Sequence, residues 1–290
     1  MAGSAAKRGA VRPERQREGA KGLALQYGDW SIVRELGKGS FGTVYEIERS
    51  ELGRVCCAAL KVISIRQEGA DTGQICGQVE AVLQKIRLLS QEQGHTNLVD
   101  YQNYEVCPHA DGEGWEILIQ MELLTPLYWY LNTHSMTRQD VVTLGVSMCK
   151  ALEACQKCGV HPGIKPSNIF VSDQREFKLD AFDAADLYAQ HGVGANPYWA
   201  PERYQGKAAD SRSDLYSLGL VLYHLLNHNR GPFLPPYPKY IRYEDQERAM
   251  IRRMRGDHLP LPGAERGKLA EIVLKACRFR PEERYPTAKE

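Results

Sequence analysis

The sequence predicts an α+β chain of two lobes, a β-rich one followed by a helix-rich one. Two patterns carry that expectation. Runs rich in apolar and β-branched residues at 30–36, 43–48 and 57–65 are separated by Gly-containing turns, as strands are. Helical periodicity then takes over at about 137–157, 213–227, 243–255 and 266–278. The change falls between Leu123 and Pro126. A third observation is length: 290 residues can bury one sizeable two-lobed core, and no internal repeat divides them.

Residues 1–26 are rich in Ala, Gly, Arg and Lys and poor in large apolar groups, so they read as a disordered basic tail. The folded part is expected at 27–290, with an N-lobe at about 27–123 and a C-lobe at about 124–290. A net charge of +1 gives no general attraction to nucleic acid or to a membrane surface. No run of about 18 or more apolar residues can span a bilayer. The N-terminus has no apolar core of a secretory signal, and eight cysteines without a framework read as free thiols of a cytoplasmic protein. Cys155 and Cys158 form one CxxC, but a zinc site needs a second pair at suitable spacing, so they read as structural residues at a helix end.

Within the β-rich part, Leu36-Gly37-Lys38-Gly39-Ser40-Phe41-Gly42-Thr43-Val44 fits G-x-G-x-x-G-x-V. The segment after it is β-like, which favours a hairpin over a dinucleotide-binding strand–helix turn. Gly37, Gly39 and Gly42 would let backbone N–H groups approach an anion; an ordinary tight turn is the plainer reading. About twenty residues on, Lys61 ends Ala58-Ala59-Leu60-Lys61 in a strand. A helix is expected at 77–91, where Val79, Val82, Leu83, Ile86 and Leu89 recur at helical spacing. Strands at 97–105 and 115–122 follow, joined by a turn-rich loop at 108–114.

The C-terminal half supplies further motifs in order: Val160-His161-Pro162-Gly163-Ile164-Lys165-Pro166-Ser167-Asn168, Phe177-Lys178-Leu179-Asp180-Ala181-Phe182-Asp183, Gly194 through Glu202, Asp214-Leu215-Tyr216-Ser217-Leu218-Gly219, and Arg280 through Ala288. Together with the glycine loop and Lys61, these resemble the motif series of the protein kinase family, of a bacterial serine/threonine type, across about 28–290. The resemblance implies the two-lobed kinase fold. It implies an ATP site that includes Leu36, Gly37, Gly39, Gly42, Val44 and Ala59 and in which Lys61 meets the α- and β-phosphates. Met121 would be the gatekeeper, the backbone of Glu122 and Leu124 would bind adenine, and Lys165 and Asn168 would complete the catalytic loop. By the same resemblance, Glu202 and Arg284 would form a buried ion pair. The series stops where a final helix is expected to begin.

The departures fall together. Gly163 stands where the family has the Asp that accepts the substrate hydroxyl's proton, Pro162 replaces the loop Arg, and Ala181 replaces the Mg²⁺-binding Asp. Asp183 replaces the Gly after the metal Asp, and Ala195 replaces the Thr that contacts the catalytic Asp. Lys85 occupies the slot of the Glu that pairs with Lys61. Glu80, five residues earlier, lies about 140° around the helix and faces elsewhere. Asn168 is the one remaining candidate metal ligand of the usual pair. Asp180 is a weaker candidate, because alternation in an extended chain turns it away from the side that Ala181 faces, so it is expected to be solvated.

The sequence therefore predicts a pseudokinase: a kinase fold that binds ATP with little need of Mg²⁺ and regulates or scaffolds an unidentified protein partner. Two alternatives stay open. One is an active or atypical serine/threonine kinase that uses Asp180, Asp183 or Asn168 for metal; the other is an interaction domain that binds no nucleotide.

Overall fold

A computed structural model describes residues 27–39, 42–66, 72–92, 94–109, 114–157, 163–182, 196–263 and 265–290. The predicted tail at 1–26, His161, Pro162, Cys158, Asp183, Gly194 and Ala195 lie outside the described residues. The N-lobe is a five-stranded antiparallel sheet of order β1-β2-β3-β5-β4. Its strands are β1 (Ser31–Gly39), β2 (Gly42–Glu51), β3 (Arg54–Ile65), β4 (Tyr101–Pro108) and β5 (Trp115–Met121), with α1 (Thr72–Ser90) between β3 and β4.

The period-two alternation of β3 decides what each face of the sheet does. Ala59, Ile63 and Ile65 join the main core with Val82, Ile86 and Leu89 of α1. Ala58, Leu60 and Val62 face the other way and pack with Tyr27, Trp30 and Ile47. Lys61 therefore shares the inner face with Ala59 and Ile63.

The C-lobe holds a short sheet, β6 (Thr125–Pro126), β7 (Ile169–Val171) and β8 (Phe177–Leu179), in that order. Its helices are α2 (Leu127–Thr133), α3 (Arg138–Lys157), α4 (Pro201–Tyr204), α5 (Ser211–Leu226), α6 (Tyr243–Arg255) and α7 (Lys268–Ala276). Helix α5 is buried on nearly every side, as the centre of a helical lobe must be. Asp210 caps it by accepting the Arg212 backbone N–H.

Two expectations need correcting. The strand predicted at 97–105 starts only at Tyr101. Residues 97–99 instead clamp the C-lobe: Leu179 N–H donates to Asn97 O, Val99 N–H donates to Leu179 O, and Asn97 Nδ2 donates to Phe177 O. Leu98, just after a turn, makes a single bridge to Leu179 of β8 in the other lobe rather than extending the pairing with β5. Helix α2 was not expected, because seven residues are too few to display a helical period.

Candidate functional site

The cleft lies where the inner face of the N-lobe sheet meets the short C-lobe sheet. Strands β1 and β2 form the predicted hairpin, paired down to Gly39 opposite Gly42. Gly42 is held to glycine by packing: at φ +152°, a Cβ there would fall onto the carbonyl oxygen of Val62 in β3. Leu36, Val44 and Leu124 pack, half-buried, against the main core that contains Ala59 and Met121. Met121 is 5% exposed, as a residue closing the back of a slot would be. Gly37 sits in β1 opposite Val44 with open space at its Cα.

The link between lobes uses Glu122 in an unexpected way. Its side chain accepts the Asp100 N–H at 2.8 Å and Lys178 Nζ at 2.8 and 3.0 Å. Its own N–H donates to Asp100 O, so the carbonyl is the backbone group that a ligand could use. Phe170 carried no sequence signal, yet it belongs to this site. In β7, Ile169 and Val171 are buried while Phe170 is half-buried on the opposite side, and it pairs in register with Pro126 beside the link.

Lys61 is the centre of the site, and its partner was not foreseen. Its Nζ lies 3.1 Å from Asp180 Oδ2 and donates to Phe182 O at 3.1 Å. The other carboxylate oxygen of Asp180 accepts the Tyr101 hydroxyl at 2.5 Å and the Phe182 N–H at 2.9 Å. Asp180 is 6% exposed. The expectation of a solvated Asp180 is overturned for a physical reason. Strand β8 ends at Leu179, so alternation no longer dictates direction. The carboxylate turns into the cleft, where three donors converge on it. Tyr101, the first residue of β4, is buried; burial and then the charge of Asp180 push its pKa well above the usual tyrosine value.

Lys85 and Lys61 both lie over the ring of Phe182, at 5.6 and 5.0 Å from its centroid, so one aromatic ring serves two like charges. Glu80 is exposed and faces Arg87 at 3.6 Å instead. Ala181 is fully buried and contributes no ligand.

In the loop before β7, Gly163 is buried with φ +61°, a left-handed conformation that suits glycine. Asn168 Nδ2 donates to Gly163 O at 3.2 Å, which ties the loop to the 3-10 turn Pro166–Asn168. Asn168 is buried and Lys165 half-buried. Among the described residues no group of three or more His, Cys, Asp or Glu side chains is placed to hold a metal ion.

The expected anchor below the cleft is present. Arg284 grips Glu202 through two hydrogen bonds, Nη1 to Oε1 at 2.7 Å and Nη2 to Oε2 at 2.8 Å. Ser213 Oγ donates to the same carboxylate at 2.6 Å. Burial pushes the Glu202 pKa up, but the hydrogen bonds from Arg284 and Ser213 outweigh it, and the net result is a lowered pKa.

Comparison with known proteins agrees with this geometry. The protein kinase domain profile matches residues 30–290. A probable serine/threonine-protein kinase of Clostridium perfringens (strain 13 / Type A) is 26% identical over 90% of this chain, which is 37% of that protein. The serine/threonine-protein kinase PknB of Mycobacterium tuberculosis is 32% identical over 53% of this chain and 25% of its own length. A probable serine/threonine-protein kinase of Dictyostelium discoideum, nek2, is 26% identical over 88% of this chain and 60% of its length. The chain thus spans between 25% and 60% of the length of these relatives.

Proposed function

The chain belongs to the protein kinase family, and we propose that within it this domain is a pseudokinase: it binds ATP and regulates or scaffolds a protein partner without transferring phosphate efficiently. The family ordinarily uses ATP with Mg²⁺. One observation carries the departure. At the proton-accepting position there is only Gly163, in a left-handed backbone, and at the metal position only the buried Ala181.

Magnitudes support the reading. General-base catalysis is worth about 10²–10⁴-fold. Charge neutralisation by metal adds several kcal/mol. Losing both would slow phosphotransfer by ~10⁵-fold if the effects simply combined. The adenine slot needs only Leu36, Val44, Ala59, Phe170 and backbone groups of Glu122 and Leu124, all present. A phosphate would meet Lys61. Mg²⁺ fits less well: Ala181 offers no oxygen, and Asp180 already accepts from Tyr101, Phe182 and Lys61. ATP binding with little dependence on Mg²⁺ follows. Among the described residues no helix is long and apolar enough to cross a membrane; we place the domain in the cytoplasm.

Thermal-shift titration with ATP, in Mg²⁺ and in EDTA, together with an ATP-turnover assay, tests this. A shift of similar size in both buffers with turnover at background is expected. Turnover that disappears in Lys61→Ala would sink the proposal.

A second reading is favoured by the buried Asp180 carboxylate, which could replace the lost metal ligand in an atypical serine/threonine kinase. It requires Mg²⁺-dependent turnover abolished by Asp180→Ala. No shift at millimolar ATP would point instead to an interaction domain that binds no nucleotide.

A further inference from the structure

Lys61 presents three N–H donors on a compact ammonium. Two are committed, one to Asp180 Oδ2 and one to the carbonyl of Phe182. The lysine side chain keeps 17% of its exposure and the Asp180 side chain 8%, so the pair sits at the inner wall of the cleft with the cation the more accessible partner. Asp180 is itself held in place by Tyr101, which is 4% exposed and donates its hydroxyl to the carboxylate, and by the Phe182 N–H. The carboxylate is thus fixed against the cation by two donors, one from β4 and one from two residues along the chain.

We propose that Asp180 sets how this cleft discriminates phosphate-bearing from phosphate-free adenine ligands, by occupying the Lys61 ammonium that a phosphate would otherwise take. The inference rests on the nucleotide-binding reading above and deepens it. A nucleotide phosphate approaching Lys61 meets a fixed negative charge beside that cation. Juxtaposed like charges in a partly desolvated site are costly. The phosphate must displace Asp180 or share Lys61 with it. Adenine and ribose contact the apolar slot and the backbone of the inter-lobe link, so they are indifferent to that competition. The native cleft therefore favours ATP over adenosine far less than a free lysine would.

Isothermal titration of the full chain with ATP and with adenosine, in EDTA and again in Mg²⁺, tests this on the native protein, Asp180→Asn and Tyr101→Phe. Asparagine keeps the size and the acceptor oxygen of Asp180 but removes its charge. Asp180→Asn is expected to tighten ATP by about tenfold or more and to leave adenosine unchanged within about twofold. Tyr101→Phe releases one restraint but keeps the charge and the Phe182 N–H, so it is expected to tighten ATP by a smaller factor, about 2-fold to 3-fold. An unchanged or weaker affinity for ATP in Asp180→Asn, beside unchanged adenosine, overturns the inference while leaving the nucleotide reading standing. Parallel changes in both ligands would make Asp180 a shaping residue and overturn it too. A loss of ATP affinity confined to Mg²⁺ buffer would assign Asp180 to the metal and have the same effect. If neither ligand binds any variant, the nucleotide reading fails and this inference falls with it.

Discussion

The Lys61 cleft and the Glu202–Arg284 anchor each bury a cation against a carboxylate, yet the two pairs are built for different tasks. Arg284 is fully buried on its side chain and grips Glu202 with a planar fork, two parallel bonds with no slack. Lys61 touches Asp180 at one oxygen from a flexible stem, and Asp180 takes its remaining support from Tyr101 and Phe182. The first pair resists exchange of partners. The second has a cation that a ligand could claim. The departures on which the proposal rests, Gly163 and Ala181, lie at the Lys61 cleft, while the anchor keeps both partners of its pair.

The largest effect that sharpens this comparison is loss of the anchor. Arg284→Ala leaves the Glu202 carboxylate buried without its cation and should destabilise the domain by about 3–5 kcal/mol, read as a lower midpoint in urea unfolding. Glu202→Gln combined with Arg284→Met should recover part of that loss. Lys61→Ala should cost less, about 1–2 kcal/mol, because Asp180 keeps two other donors. Equal losses at the two sites would break the comparison.

Acid is the next test. Burial, with Arg253 nearby, pushes the His224 pKa down to about 4. The folded state therefore prefers the neutral imidazole. Its contribution is present above the unfolded pKa of about 6.5 and is lost as pH falls from there towards about 4. Partial exposure of the ring limits the effect to about 2 kcal/mol. Urea unfolding between pH 7 and 4, with His224→Gln as the control that flattens this part of the profile, measures it. The smallest effect belongs to Glu80→Ala, where an exposed pair with Arg87 is cut: stability and ATP affinity should not move measurably. A clear loss of ATP affinity there would mean that Glu80, rather than Asp180, serves Lys61.

Much of the site was legible where chemistry requires fixed spacing. Lys61 lies on the inner face because strand alternation puts it with Ala59 and Ile63, and the spacing to the glycine loop already implied a strand. Glu202 and Arg284 were legible because each belongs to a motif with its own pattern. Tyr101 and Phe170 were not, because each is an ordinary residue of an ordinary strand whose importance lies in what folds against it. Asp180 was misread because alternation was extended one residue beyond the end of β8.

By itself the sequence determined the two-lobed architecture, the hairpin of β1 and β2, the helix at about 213–227 and the absence of carboxylates at 163 and 181. These depend on local periodicity and on residue identity, which are one-dimensional properties. Only the tertiary structure decided which carboxylate reaches Lys61, that residues 97–99 bind β8 across the lobes, and that Lys61 and Lys85 both meet the Phe182 ring. Those outcomes follow from contacts between segments as far apart as residues 61 and 180, where the direction of a side chain is settled by converging donors and available space rather than by its neighbours in sequence.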